Sequence, residues 1–221
     1  MFLLNPFVFA QSGYPLDPAK VKLLLHFNGN YNDSSPNNHT MTSGGNVSIS
    51  TSEPKFGSGK LQFGDTPTRD GFVKSPNIFD FGNKRPFTIS FFYRDGDGNG
   101  CFFATRDSPI YTPMIFGRGG YLTVGNAALN DWTFVLAVMN ISSTAYQHGA
   151  VVGDGTNIKV YRDGSLIATT PHPNWASASW FIHLGKEEGG SYSNGGMDEF
   201  LLYDGVLWTA DFTPPDAPFS Y

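Results

Sequence analysis

No apolar stripe in this sequence keeps a helical period for three turns, and that constrains the fold more than any single motif. An amphipathic helix needs apolar residues at i, i+3, i+4 and i+7, whereas strands need only short apolar or alternating runs bounded by turn residues. The second pattern recurs throughout. Runs at 21–27, 47–51, 60–63, 71–74, 87–93, 101–105, 132–139, 158–161, 166–169, 180–184 and 197–203 read as strands. The 26 Gly and 15 Pro fall largely between them, where turns need positive φ or a fixed φ, and the 20 Phe suit pleated surfaces.

Individual runs carry further expectations. Residues 87–93 alternate between two faces, and 101–105 is expected to pair with them across the Gly-rich loop 95–100. Residues 132–139 are apolar on both faces, which predicts a strand in the middle of a sheet with both sides covered. Asp163-Gly164 between two β runs predicts a tight hairpin. The Asn-, Ser- and Gly-rich stretch 28–46 reads as a long loop. Pro214, Pro215 and Pro218 exclude regular helix or central strand from the tail. The expected organisation is one all-β, two-sheet antiparallel sandwich over 21–221 with a Pro-rich tail, preceded by an extended arm over 1–20. A sandwich of about 200 residues is routinely one domain. It buries enough surface to need no disulfide, metal or cofactor. Cys101, the only cysteine, reads as a small buried hydrophobe.

Charge and motif spacing remove several function classes. The net charge is −5 and the 14 basic residues are scattered, so the basic cluster that nucleic acid requires is missing. The apolar arm (Leu3, Leu4, Phe7, Val8, Phe9) is too short to span a bilayer. It lacks the basic start of a signal peptide and is interrupted by Asn5-Pro6. It reads as a docking arm. Glycosidases place two carboxylates on one face, yet Asp198-Glu199 and Glu187-Glu188 are adjacent, and adjacent strand residues point to opposite faces. No Gly-x-Ser-x-Gly elbow occurs, and the five His lack metal-type spacing. The expectation is a non-enzymatic protein. With only 15% charged residues, it suits a subunit packed among neighbours.

Two kinds of site remain. Asp95, Asp97 and Asn99, followed by Gly100, match the opening of a calcium loop, but Arg106 stands where the bidentate Glu belongs. A Gly-rich hairpin loop is the alternative. For stacking against sugars, Trp175 among turn residues, Tyr192 and Trp208 are the candidates.

The order of several blocks resembles a known family. Leu23-Leu24-Leu25-His26-Phe27-Asn28-Gly29, Phe56-Gly57-Ser58-Gly59-Lys60-Leu61-Gln62-Phe63 and Phe79-Asp80-Phe81-Gly82 are similar to successive segments of laminin-G-like, concanavalin A-like jelly rolls. So are Asp131-Trp132-Thr133-Phe134-Val135, Val160-Tyr161-Arg162-Asp163-Gly164, Met197-Asp198-Glu199-Phe200 and Phe212-Thr213-Pro214-Pro215. The resemblance implies a jelly-roll sandwich, and with it one structural calcium near Asp198 and the loop at Asn28–Asp33; otherwise Asp198 hydrogen-bonds loop backbone near Asn28-Gly29 as a clamp between first and last strands. The arm and the "FTPP" tail are most similar to structural proteins of tailed bacteriophages. That implies a virion location after assembly in the host cytoplasm, other virion proteins as partners, and a homo-oligomer such as a trimer. A capsid decoration or cement protein is the first expectation. A tail or fibre protein binding a host-surface glycan, and a free carbohydrate-binding module, are the alternatives.

Overall fold

A computed structural model describes residues 14–64, 70–94, 96, 100–105, 113–118, 121–126, 131–138, 144–186 and 192–221; within 113–138 it fixes the backbone and the side chains of Ile115 and Val124. The arm residues Leu3, Leu4, Phe7, Val8 and Phe9, and the loop residues Asp95, Asp97 and Asn99, lie outside the described residues.

Two antiparallel sheets face each other. In the eight-stranded sheet the neighbours run Ser165–Pro171, Asn157–Arg162, Gln147–Gly153, Phe87–Arg94, Gly195–Tyr203, Lys60–Phe63 and Val47–Ser50. Val21–Leu25 also pairs with Gly195–Tyr203, along the edge that Lys60–Phe63 uses further back. The seven-stranded sheet runs Asp131–Val138, Tyr121–Asn126, Pro113–Arg118, Cys101–Ala104, His183–Leu184, Phe72–Lys74 and Thr42–Gly44. Between them lies a core of Leu, Ile, Val and many Phe, with Phe91 within 5.5 Å of Phe102 and 5.2 Å of Phe103, centroid to centroid. A two-sheet jelly roll is what the sequence pattern implies, and it is what forms.

Two local expectations are corrected. Phe87–Arg94 and Cys101–Ala104 do not form a hairpin: the first pairs with Gln147–Gly153 and Gly195–Tyr203, the second with Pro113–Arg118 and His183–Leu184 in the other sheet. The Gly-rich connection therefore crosses between layers. Asp131–Val138 is an edge strand, paired only with Tyr121–Asn126. This edge runs close to Ser165–Pro171, where the two sheets approach. The Pro-rich tail packs against the eight-stranded sheet.

That tail covers the chain's own sheet. On the face of the eight-stranded sheet away from the core, Val21, Leu24, Ala150, Val152, Tyr161, Leu201 and Tyr203 make a second apolar layer. Leu16, Trp208 and Phe219 close over it, and Trp208 stacks on Phe212 with ring centroids 4.0 Å apart. Burying large apolar side chains there stabilises the fold by about 1.5–3 kcal/mol each. Polar ties fix the path: Phe212 N donates to Gly164 O, Leu166 N to Asp211 Oδ1, and Leu16 N to Ser220 O. Gly164 serves both the hairpin and the tail. Its φ of +81° completes the turn begun by Asp163 at +49°, and a Cβ would sit 1.8 Å from the Phe212 oxygen. Chain from Tyr14 to Lys20 also packs here, through Leu16 and a short 3-10 turn at Pro18–Lys20.

Candidate functional site

The long polar loop after the first strand is ordered by one carboxylate. Asp33 is buried, and its two oxygens accept from Leu24 N, Ser35 N, Ser35 Oγ, His39 N and His39 Nδ1 at 2.7–3.1 Å. Burial alone would push this carboxyl up, but the backbone N–H groups of His39, Ser35 and Leu24, with the His39 ring, outweigh it and hold the group below 3.8. Asn37 adds a second tie, donating through Nδ2 to Val21 O at 2.8 Å. Ser34 N donates to Leu24 O at 2.7 Å, and Tyr221 Oη to Ser34 O. The loop is thus pinned to the first strand and to the chain's end.

A cleft of about 390 Å³ opens on this loop, lined by Asn30, Tyr31, Asn32, Asn38, His39, Thr40 and Met41. Tyr31 and Met41 are half-buried against the inner core, and the Tyr31 hydroxyl is committed to Val47 O. They give the cleft an apolar wall. The Asn side chains and Thr40 are exposed and can both donate and accept. Because ionised Asp33 can only accept, His39 Nδ1 carries a proton, and this hydrogen bond fixes the orientation of the imidazole in the cleft lining. Sequence reading reached Asn28–Asp33 only as a calcium loop and missed the cleft, because a polar stretch signals only a loop. The readable trace was Asp33-Ser34-Ser35-Pro36-Asn37, a run rich in side chains that hydrogen-bond nearby backbone.

The residues singled out from sequence lie elsewhere. Trp175 is 2% exposed and packs within the inner core beside His172 and Phe87, so it offers no sugar-stacking face. Trp208 is 4% exposed under the tail. Both were placed on the surface because turn residues flank them; the turns fold their aromatic rings inward. Tyr192 is half-exposed, with the Lys186 ammonium 5.3 Å from its ring centroid.

Asn28 and Asp198 grip one turn from two strands. Asn28 Oδ1 accepts from Ser58 N, while Asp198 Oδ2 accepts from Lys55 N and Phe56 N. The clamp joins first and last strands through residues 55–58 and not through Asn28-Gly29 directly. Their oxygens are used by backbone donors, and among the described residues no group of three or more His, Cys, Asp or Glu is placed to hold a metal ion. The donor set does not fit the calcium arrangement.

Asp198 and Glu199 also break the expected alternation. The register slips between Asp198 and Leu201, and Glu199 has φ +50°. Met197 and Phe200 both face the inner core, so the two carboxylates share the other side of the strand. Neither is exposed. Glu199 takes His26 Nδ1 at 2.8 and 2.9 Å and Phe219 N at 3.3 Å. Asp198, buried and with Glu199 adjacent, is pushed up from 3.8 to about 7. What keeps this pair from acting on a glycosidic bond is burial and internal bonding, not opposite faces.

Two antiparallel sheets enclosing an aromatic core, with a polar cleft built on a connecting loop, define a lectin-type jelly-roll sandwich. Residues 66–211 match the family described as the concanavalin A-like lectin/glucanases superfamily, and the chain belongs to that superfamily. The cleft precedes the matched stretch and rests on geometry alone. No curated protein matches the sequence. Among solved structures, domain 4 of AbnA, an extracellular GH43 arabinanase from Geobacillus stearothermophilus, in complex with arabinotriose, is similar with a TM-score of 0.65 and 17% identity, covering 86% of this chain and 94% of that one. The binding domain of Paraclostridial Mosquitocidal Protein 1 (TM-score 0.67, 16% identity) covers 86% of this chain and 50% of its own. The botulinum neurotoxin serotype D binding domain gives 0.63 and 11%, covering 86% and 49%. This chain therefore spans about half the length of those toxin domains. Identities this low show a shared fold.

Proposed function

We propose that this chain is a non-enzymatic carbohydrate-binding domain whose ligand seats in the cleft between Asn30 and Met41. The observation that carries the reading is the cleft's make-up: an apolar wall of Tyr31 and Met41 opposite amide, hydroxyl and imidazole groups, on a loop held rigid by Asp33. Sugars present an apolar C–H face and a ring of hydroxyls, and such sites combine apolar lining with a few placed polar groups. The neighbours add support, since one is an arabinanase domain bound to arabinotriose and others are toxin binding domains.

The test is a glycan array probed with the whole chain and with Asn32→Ala, an exposed substitution that leaves the loop's anchors intact. Retention by the unsubstituted chain and at least a tenfold weaker signal for the variant is expected. Equal retention of both, or none by either, overturns the reading.

A further inference from the structure

We infer that the cleft selects neutral sugars and discriminates against acidic ones such as uronic, sialylated or sulfated residues. The inference rests on the glycan-binding reading and specifies its ligand class. Among the described residues, no Lys or Arg lines the cleft. A sugar carboxylate or sulfate would need a cationic partner or a fork of donors to offset the water it loses. Amide groups and one imidazole offer donors and acceptors in mixture, which suits hydroxyls that do both.

The charge behind the wall points the same way. Asp33 sits buried under the loop, ionised and tied to five donors, with His39 hydrogen-bonded directly to it. Its negative charge is carried into a low-dielectric region that screens poorly, so an anion in the cleft meets repulsion that no Lys or Arg among the described lining residues offsets. The overall charge of −5 adds to this at low ionic strength. Asp33 also fixes the orientation of the His39 ring by accepting the Nδ1 hydrogen bond. Asp33 is in this sense a positioning residue. The volume of about 390 Å³ lies at the lower end for small-molecule sites, which fits a short oligosaccharide end.

The experiment is titration calorimetry of the whole chain with arabinotriose and a glucose trisaccharide, against a uronic-acid trisaccharide and a sialylated trisaccharide, at about 25 and 500 mM salt. The expected result is binding of a neutral trisaccharide at least tenfold tighter than either acidic one, with the gap narrowing at high salt. Asn32→Lys, which puts a cation in the lining, should tighten the acidic ligands at least fivefold without gain for the neutral ones. An acidic trisaccharide that binds the unsubstituted chain as tightly as a neutral one overturns the inference and leaves the glycan reading standing. No binding of any of the four, or binding unchanged in Asn32→Ala, overturns the glycan reading itself.

Discussion

Replacing Asp198 with Asn isolates the energetic consequence of burying a carboxyl group beside a second one. Burial first, then the adjacent Glu199, raises Asp198 to about 7, against backbone hydrogen bonds from Phe56, Lys55 and Glu199 that act in the other direction. A folded value above the unfolded one means that stability from this group is complete below about pH 3.8 and is lost as pH rises to 7. Three units at 1.36 kcal/mol each amount to about 4 kcal/mol. Asn keeps one acceptor oxygen for the 55–56 turn and strands one of the three donors, which costs about 1–3 kcal/mol at every pH. The stability of Asp198→Asn minus that of the unsubstituted chain should therefore be negative by about 1–3 kcal/mol near pH 4. It should climb by about 4 kcal/mol to become positive near pH 8. Urea unfolding at pH 4, 5, 6, 7 and 8, followed by Trp fluorescence, gives this difference directly, because titrations common to both proteins cancel. A difference that stays flat from pH 4 to 8 would refute the reasoning, since Asp198 would then titrate near its unfolded value despite its burial.

Other sites give further expectations. His148 is buried, its Nε2 paired to Ser90 Oγ, and burial with the nearby Lys55 charge pushes it down from 6.5 to about 3; its ring resonances should keep neutral-imidazole shifts at pH 5, and a midpoint near 6.5 would sink the assignment. Its contribution is full above pH 6.5 and is lost as pH falls towards 3, which opposes the Asp198 trend. His26 is raised in net: burial lowers it, but the hydrogen bond and charge of Glu199 outweigh that. His26→Gln should thus cost more stability at pH 5.5 than at 8.5, and an equal cost at both pH values would contradict it. Trp175→Ala should cost about 3–5 kcal/mol of stability and leave glycan retention by the folded fraction unchanged; lost retention at full stability would restore Trp175 as a ligand platform.

The strands were legible where local chemistry dictates them. Asp163-Gly164 announces its hairpin because few residues tolerate positive φ at both positions. Several blocks carrying the family resemblance contain inner-core strand residues, such as Leu23, Leu25, Leu61, Phe63 and Phe200, where packing limits residue choice. Sheet membership was not legible. Nothing local tells Cys101–Ala104 that its partners are Pro113–Arg118 and His183–Leu184 and not the strand just before it. The faces of Asp198 and Glu199 were misread because a bulge changes the parity of a strand without leaving a mark in its apolar pattern. The cleft was missed for a related reason. Its organiser, Asp33, acts through side-chain bonds to backbone across nine residues to Leu24, and polar composition alone looks the same whether a loop is bare or built.

The placement of the last strand sets a timetable for folding. Gly195–Tyr203 lies inside the eight-stranded sheet, where it joins Phe87–Arg94 to both Val21–Leu25 and Lys60–Phe63. Two strands made early in synthesis have their inner edge supplied by one made near the end. At typical synthesis speeds roughly 10–40 s separate Val21 from Tyr203. Throughout that interval the run of Leu23, Leu24 and Leu25 has no permanent partner, and the loop that carries the cleft has no settled strand to hang from. A growing chain of this kind is exposed to misassociation until its closing strand arrives, so stalling or truncation before residue 195 should yield aggregates and not a smaller working domain.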